Sequence, residues 1–172
     1  YESRLECFKE QAKMAACPVL YVNQFGSNTE LVFDGRSFCL DSLGELVWAA
    51  PAFEACLQTF DFTEYGIASR LKGSIIAYSD VELIYLALVL GIKDYFSKTG
   101  FKKAVLGLSG GIDSALTCSL AVKALGAENV IGISMPSDYS SDGSILDAQG
   151  LADNLGVSLI KVPIHDLFNT YK

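Results

Sequence analysis

The stretch of sequence best suited to chemistry is VLGLSGGIDSALT at residues 105–117, where glycines, hydroxyls and one carboxylate follow a short apolar run. Three chemistries use nearly these letters: a phosphate-binding loop before a helix, a dinucleotide fingerprint after a strand, and the Gly-x-Ser-x-Gly turn that presents a serine hydrolase nucleophile. Residues 107–111, GLSGG, fit the last pattern in every letter. The surrounding residues therefore have to distinguish the three.

Two of these patterns fail on residue type. A Walker loop needs a lysine directly after its second glycine, to reach the outer phosphates. The loop contains no lysine, and Lys102 and Lys103 lie before the strand that leads into it. The dinucleotide fingerprint needs Gly-x-Gly-x-x-Gly, whereas the glycines here are Gly107, Gly110 and Gly111.

The serine hydrolase is a harder alternative to dismiss. Its order of Ser, Asp and His is available downstream of Ser109, in Asp138, Asp142, Asp147 and His165. That chemistry leaves Asp113 and Ser114 without a role, and an anionic Asp113 would disfavour the oxyanion that forms during acyl transfer. A plain strand-to-helix turn, capped by Ser109 or Asp113, accounts for any one of these residues but not for all of them together.

The phrase Ser-Gly-Gly-x-Asp-Ser resembles the pyrophosphate-binding loop of ATP-pyrophosphatases, which adenylate an oxygen of their substrate and release pyrophosphate. The chemistry suits the residue types, because glycines let backbone N–H groups approach phosphate oxygens and hydroxyls can donate to them. A carboxylate at Asp113 implies a cation such as Mg²⁺ between it and the phosphates. The ATP site implied by the resemblance consists of Gly107, Leu108, Ser109, Gly110, Gly111, Ile112, Asp113 and Ser114.

Three longer stretches narrow the resemblance. The chain is similar to the glutamine-dependent NAD(+) synthetases, in which a nitrilase-type glutaminase precedes a synthetase domain. The similarity lies in the stretches LALVLGIKDYFSKTGFKKAVLGLSGGIDSALT, GISMPSDYSSDGSILDAQGLADNLGVSLIKVPI and YVNQFGSNTELVFDGRSF. The resemblance implies ATP-dependent amidation of deamido-NAD through an adenylate, with ammonia from glutamine and release of AMP and pyrophosphate. Another amidotransferase with the same loop is the alternative.

The resemblance also implies roles for further residues. Adenine would meet the backbone at Ile133, Ser134 and Met135, and the polar segment from Met135 to Ser141 would be a mobile loop over the nucleotide. The glutaminase Cys, Glu and Lys are expected upstream of this chain, so no catalytic residue is assigned within it, and Cys17 is not the nucleophile.

The elements that would position the loop are predicted from periodicity. A helix with an apolar stripe follows Ser79, which forms a capping box with Glu82. Ser144 and Asp147 suggest a second cap, and Asp34-Gly35 is a hairpin turn signal. Helices are predicted at 3–16, after Ser79, at 114–125 and at 144–155, and strands at VLYVNQFG, TELVF, SFCLDS, LVWAA after a turn at Gly44, CLQTFDF, KAVLGL, NVIGISMP and VSLIKVPI.

The alternation of strands and helices after Ser79 indicates βαβ units and a parallel sheet, with the loop at the carboxyl end of its first strand, where such sheets bind ligands. The predicted class is α/β: the C-terminal end of a nitrilase-like sandwich, then the first half of an adenine nucleotide alpha hydrolase-like synthetase domain. The predicted boundaries are 1–62, a linker at 63–78, and 79–172. We expect a segment of a longer chain.

Composition restricts the partners. The 172 residues carry 13 basic and 20 acidic side chains, a net charge of −7, which disfavours nucleic acid. The longest apolar run, 83–92, has about half of the ~20 residues that a membrane span needs. Five cysteines without a C-x-x-C pair predict reduced, buried thiols, and a single histidine leaves few zinc ligands. We expect a cytoplasmic homo-oligomer that binds neither nucleic acid nor membrane.

Overall fold

The computed structural model describes residues 1–63, 66–67, 77–137, 140–165 and 170. The chain divides into two compact units, Tyr1–Leu90 and Gly91–Lys172. Most of the predicted linker at 63–78 lies outside the described residues, so the domain boundaries stay a prediction.

The first unit is a helix followed by short antiparallel strands. Its elements are α1 (Glu2–Ala15), β1 (Val19–Tyr21), β2 (Phe25–Asn28), β3 (Leu31–Asp34), β4 (Phe38–Leu40), β5 (Leu46–Ala49), β6 (Phe62–Thr63) and β7 (Gly66–Ile67). The strands pair in the order β1-β4-β5, with β2-β3 and β6-β7 as two-stranded ribbons. The apolar face of α1 packs on the first sheet around buried Ala12, Phe38 and Leu40.

The predicted Asp34-Gly35 hairpin is wrong. Strand β3 pairs with β2, whereas β4 pairs with β1 and β5, so the strands on either side of Asp34-Gly35 are not partners. Gly35 and Arg36 both have positive φ, 66° and 52°, and Gly35 forms a bridge to Ala52 instead. The left-handed pair therefore redirects the chain towards a different sheet.

Two further strand predictions need correction, and one is confirmed. VLYVNQFG is not one strand, because it divides into β1 and β2, and of CLQTFDF only the final Phe62 belongs to a strand. The turn at Gly44 is confirmed: Gly44 has φ of 78° and donates its N–H to the Asp41 carbonyl at 3.0 Å, between paired strands β4 and β5.

The second unit contains the predicted parallel sheet. Helix α2 (Asp80–Thr99) runs from the first unit into the second, and is followed by β8 (Ala104–Gly107), α3 (Ile112–Leu125), a short 3₁₀ turn (Ala127–Asn129), β9 (Val130–Ser134), α4 (Asp142–Leu155) and β10 (Ser158–Lys161). The strands are parallel in the order β10-β9-β8. The α/β class with a parallel sheet is confirmed.

Helices α3 and α4 pack against this sheet through small and branched side chains. The core contains Leu108, Cys118, Val130, Ala148, Ala152 and Val157. A Cβ on Gly132 would lie 2.7 Å from Cδ1 of Leu108, so glycine at this position lets the side chain of Leu108 lie directly against β9. This contact fixes the strand end that carries the loop.

The helix starts partly match the predictions. Ser79 caps α2 as expected, because its Oγ accepts the Glu82 N–H at 3.2 Å. Helix α3 begins at Ile112, two residues before the predicted start. The predicted cap at Ser144 is wrong: α4 begins at Asp142 and its N-cap is Ser141, whose Oγ accepts the Ser144 N–H.

No helix in the described part of the chain is long and apolar enough to cross a membrane.

Candidate functional site

The glycine-rich loop joins the carboxyl end of β8 to the first turn of α3. The N–H of Leu108 donates to the Ile133 carbonyl at 2.8 Å, which ties the base of the loop to the neighbouring strand β9. Leu108 is buried, whereas Ser109 beside it is exposed. The structure therefore places the loop where sequence reasoning expected it, at the ligand-binding edge of a parallel sheet.

Gly110 lets the loop touch the start of α4. Its φ is +83°, and a Cβ there would overlap the carbonyl oxygen of Ser144 and lie 2.8 Å from the Ser144 Cα. Any side chain at this position would thus push the loop away from α4. The contact brings the first turns of α3 and α4 to the same edge of the sheet.

The two hydroxyls of the loop hold its conformation. The Ser109 Oγ accepts the Gly111 N–H at 3.2 Å and lies 3.2 Å from the Ser114 Oγ. The Ser114 hydroxyl donates to the Gly111 carbonyl at 2.9 Å and accepts the Ser109 N–H at 3.3 Å. Both hydroxyls already form hydrogen bonds within the loop. To donate to a phosphate, each would have to give up one of these bonds.

The backbone of α3 offers the better donors for an anion. The N-cap of this helix is Gly111, with no side-chain cap hydrogen bond. The N–H groups of Ile112, Asp113 and Ser114 therefore lack acceptors within the helix, and they lie at the positive end of the helix dipole. The N-cap is thus neither Ser109 nor Asp113, and the bond from the Gly111 N–H to the Ser109 Oγ leaves the next three N–H groups unpaired by side chains.

A cavity of about 230 Å³ opens beside the loop, between the ends of β8 and β9 and the start of α4. Its walls combine apolar side chains with hydroxyls. They are formed by Gly107, Leu108, Ser109, Ser134, Met135, Pro136, Ser140, Ser144 and Ile145. The cavity shares Gly107, Leu108 and Ser109 with the loop.

The arrangement around Ser109 gives no support to the hydrolase alternative. A serine nucleophile needs a neighbouring base that accepts its proton. The hydrogen-bond partners of the Ser109 Oγ within the described chain are the Gly111 N–H and the Ser114 hydroxyl, and neither is a base. Of the predicted acidic partners, Asp138 lies outside the described residues.

The family model for NAD synthase matches residues 84–172, which is more than half of the chain and includes the loop and the cavity. The chain belongs to the NAD synthase family. The glutamine-dependent NAD(+) synthetases of Synechocystis sp. and Aquifex aeolicus are 46% and 39% identical to it, over 98% and 99% of this chain.

The fold of this chain is also similar to that of a solved glutamine-dependent NAD+ synthetase. The glutamine-dependent NAD+ synthetase from Acinetobacter baumannii, in complex with ADP, has a TM-score of 0.90 and 37% identity, covering 99% of this chain and 32% of that chain. The chain spans 30% and 36% of the lengths of the two curated relatives, about a third. The resemblance predicted from the loop and its flanking stretches is confirmed.

The structure adds residues to the site that sequence reasoning missed. Ser144 and Ile145 line the cavity and were not expected there. Ser134 and Met135 line it as expected for the strand end, and Ser140 as expected for the loop over the nucleotide, whereas Ile133 is not among the lining residues. The sequence contained a usable signal, since the helix after a parallel strand starts at the same edge as the loop. Asp147 is exposed and lines a separate groove of about 500 Å³ with Gly110 and Gly111, so it is not a capping partner of Ser144.

The cysteines only partly follow the prediction. All five are free, and Cys39 and Cys118 are buried. Burial raises the pKa of both thiols, and for Cys39 the carboxylate of Asp41 adds to the effect. The expectation of burial is wrong for Cys7, Cys17 and Cys56, which are exposed. Cys7 lies at an exposed position of α1, and Cys17 and Cys56 lie outside the helices and strands, so apolar neighbours in sequence do not bury these thiols.

Proposed function

We propose that the protein to which this chain belongs converts deamido-NAD to NAD(+) by ATP-dependent amidation, with ammonia supplied from glutamine and with AMP and pyrophosphate as products. The observation that carries the proposal is the loop at residues 107–114. In a chain of the NAD synthase family, this loop leads into α3, whose N-terminus has no side-chain cap hydrogen bond, and it borders a cavity of about 230 Å³.

The proposed reaction has two steps. The nicotinate carboxylate of deamido-NAD attacks the α-phosphorus of ATP, and the bond to the β-phosphate oxygen breaks. Ammonia then attacks the carbonyl carbon, AMP leaves with one carboxylate oxygen, and a proton is lost to give the amide. The first step builds negative charge on departing pyrophosphate, which the N–H groups of Ile112, Asp113 and Ser114 would stabilise.

Magnesium fits the donor set of the loop. Mg²⁺ is commonly held by one or two carboxylates together with substrate phosphates and water, rather than by a cage of protein ligands. Asp113 supplies one exposed carboxylate on the first turn of α3. Within the described residues, no group of three His, Cys, Asp or Glu side chains could hold a metal by itself. Bound Mg²⁺ would offset the charge of the leaving pyrophosphate.

The cavity would take the adenosine part of ATP. It shares Gly107, Leu108 and Ser109 with the loop, so a nucleotide whose phosphates lie on the loop would place its base there. The A. baumannii relative, solved with ADP, supports a nucleotide as the ligand. The segment from Met135 to Ser141 would close over it, as expected from the sequence.

Glutamine hydrolysis is proposed for the part of the protein that precedes this chain. The resemblance places the Cys, Glu and Lys of a nitrilase-type glutaminase there. The exposed Cys17 follows α1 and is not proposed as the nucleophile. We also infer a homo-oligomer in the cytoplasm, without nucleic acid or membrane as a partner.

The products of the full-length protein test the proposal. With deamido-NAD, ATP, Mg²⁺ and glutamine, AMP and pyrophosphate should appear in equal amounts with NAD(+), whereas formation of ADP would overturn the adenylation step. A panel of carboxylate acceptors tests the alternative amidotransferase, because an enzyme that amidates another acceptor and leaves deamido-NAD unchanged would replace the proposal.

The role of Asp113 has its own test. Asp113→Asn should lower the affinity for Mg²⁺-ATP by about tenfold or more, the cost of losing a charge-assisted interaction. Asp80→Asn is the matched control, because it removes a first-turn aspartate from α2 and leaves the loop intact. Equal ATP affinity in the two variants would contradict a metal-binding role.

A further inference from the structure

Gly132 lies in β9, the middle strand of the parallel sheet, at a position where the face of the strand is buried. Val130 and Ser134, two residues to either side of it, are 1% and 4% exposed and share that face. A Cβ on Gly132 would lie 2.7 Å from Cδ1 of Leu108 and 3.0 Å from Cδ1 of Leu159. Two leucine side chains thus occupy the space that a side chain at this position would need.

Of these two leucines, Leu108 is the one that carries the loop. It directly follows β8, is 3% exposed, and donates its N–H to the Ile133 carbonyl at 2.8 Å. Its backbone and its side chain are therefore both held by β9. Leu159 lies within β10, on the other side of β9, and is far from the loop in sequence.

Very little chain separates Leu108 from the helix that would face the phosphates. Helix α3 begins at Ile112 with Gly111 as its N-cap, so only Ser109 and Gly110 lie between Leu108 and the cap. Two residues at about 3.8 Å between consecutive Cα atoms leave no slack. The N–H groups of Ser109 and Gly111 are also hydrogen-bonded within the loop. A displacement of Leu108 would therefore move the first turn of α3.

Such a movement would act on the rate of adenylation. The first-turn N–H groups of α3 can stabilise the charge that develops on pyrophosphate only if they are already at the right distance from it. A misplacement of about 1 Å, caused by a residue that does not touch the substrate, can lower a rate by about a hundredfold. Gly132 is not among the residues that line the cavity, so its effect would pass through Leu108.

We propose that Gly132 is a positioning residue for the adenylation step. Because it has no side chain, Leu108 packs directly on β9, and this packing sets the position of the α3 N–H groups relative to the departing pyrophosphate. The inference rests on the proposed function, because it requires ATP at the loop.

The test measures adenylation separately from the supply of ammonia. The full-length enzyme is incubated with ATP, Mg²⁺, deamido-NAD and labelled pyrophosphate, without glutamine or ammonia, and the label that enters ATP is followed. Gly132→Ala should lower this exchange rate at saturating substrates by about ten- to a hundredfold. Adding Leu108→Val to Gly132→Ala removes the Cδ atoms that the new Cβ would meet, and should restore most of the rate.

Matched variants distinguish loop position from general packing. Adding Leu159→Val to Gly132→Ala relieves the contact on the other side and should raise the melting temperature without restoring the exchange rate. Gly150→Ala adds the same methyl group in α4, where no heavy atom lies within 4 Å of the new Cβ, and should leave the rate unchanged. If Gly132→Ala does not fold, Leu108→Ala removes the same contact from the loop and should slow exchange in the same way.

The outcomes separate this inference from the proposed function. Slow exchange in Gly132→Ala that is reversed by Leu108→Val but not by Leu159→Val supports the inference. Exchange at the wild-type rate in Gly132→Ala, no recovery with Leu108→Val, or equal recovery with Leu159→Val would overturn it. If the wild-type enzyme exchanges no pyrophosphate into ATP, the proposed function fails first and the inference with it.

Discussion

At the scale of single residues, Gly110 is the position where the loop depends most on having no side chain. Gly110→Ala should destabilise the protein and weaken ATP binding, since the new Cβ would overlap the backbone of Ser144 at the start of α4. The expected loss, beyond the strain of a positive φ, is about 1–3 kcal/mol, the usual cost of overpacking. Urea denaturation and nucleotide titration measure the two effects.

The control variant Gly100→Ala distinguishes the steric overlap expected in Gly110→Ala from the strain of placing alanine at a positive φ. Gly100 has φ of +79°, nearly that of Gly110, but no heavy atom lies within 4 Å of its would-be Cβ. Both variants carry the same conformational penalty, and only Gly110→Ala adds a collision. Equal losses of stability would show that the contact between the loop and α4 does not constrain the protein.

The thiols give a second residue-scale prediction. At pH 8, iodoacetamide should modify exposed Cys7, Cys17 and Cys56 in the native protein and reach Cys39 and Cys118 only after unfolding. Burial and the raised pKa of the last two both reduce the thiolate that reacts. Peptide mass spectrometry before and after addition of urea measures each site. Native modification of Cys118 at the rate of Cys7 would contradict its burial.

Single residues also show what the sequence could predict of the site. The loop and its place at a strand end follow from SGGIDS and the apolar run before it, because local chemistry decides both. The conformation of Ser109 and Ser114 does not follow, because it depends on hydrogen bonds inside a folded turn. The cavity needs tertiary structure, since Ser140 and Ile145 come from the next βαβ unit.

At the scale of elements, the cap of α4 tests the corrected helix start. Ser141→Ala should cost about 1 kcal/mol of unfolding free energy, because it removes the acceptor of the Ser144 N–H. Ser144→Ala should cost less, since the Ser144 side chain is not the cap acceptor. Chemical denaturation of both variants decides between them. If Ser144→Ala lowered the free energy of unfolding more than Ser141→Ala, the cap predicted from Ser144 and Asp147 would be supported instead.

Elements with local determinants were predicted well, and those with non-local pairing were not. The capping box at Ser79 and the helices before Gly100 and Gly126 depend on residues three or four apart in sequence. Strand pairing in the first unit depends on which sheet buries Phe38 and Leu40 against α1, a choice made across long separations. Asp34-Gly35 has the letters of a hairpin turn, but burial of β4 between β1 and β5 determines its partners.

At the scale of the whole molecule, the fate of one oxygen atom tests the reaction assigned to the full-length enzyme. In an adenylate mechanism the carboxylate oxygen that attacks the α-phosphorus stays with AMP when ammonia displaces it. Deamido-NAD labelled with ¹⁸O in its nicotinate carboxylate should therefore give singly labelled AMP and unlabelled pyrophosphate, measured by mass spectrometry. Transfer of the γ-phosphate would instead place the label in inorganic phosphate and yield ADP. The complete reaction with unlabelled substrates in ¹⁸O-water is the control, because water attack at the α-phosphorus would put solvent oxygen into AMP, whereas hydrolysis of the adenylate at its acyl carbon would put it into the carboxylate of deamido-NAD. In the proposed mechanism the N–H groups of the loop would stabilise departing pyrophosphate, so labelled phosphate would contradict the role proposed for α3 as well as the proposed reaction.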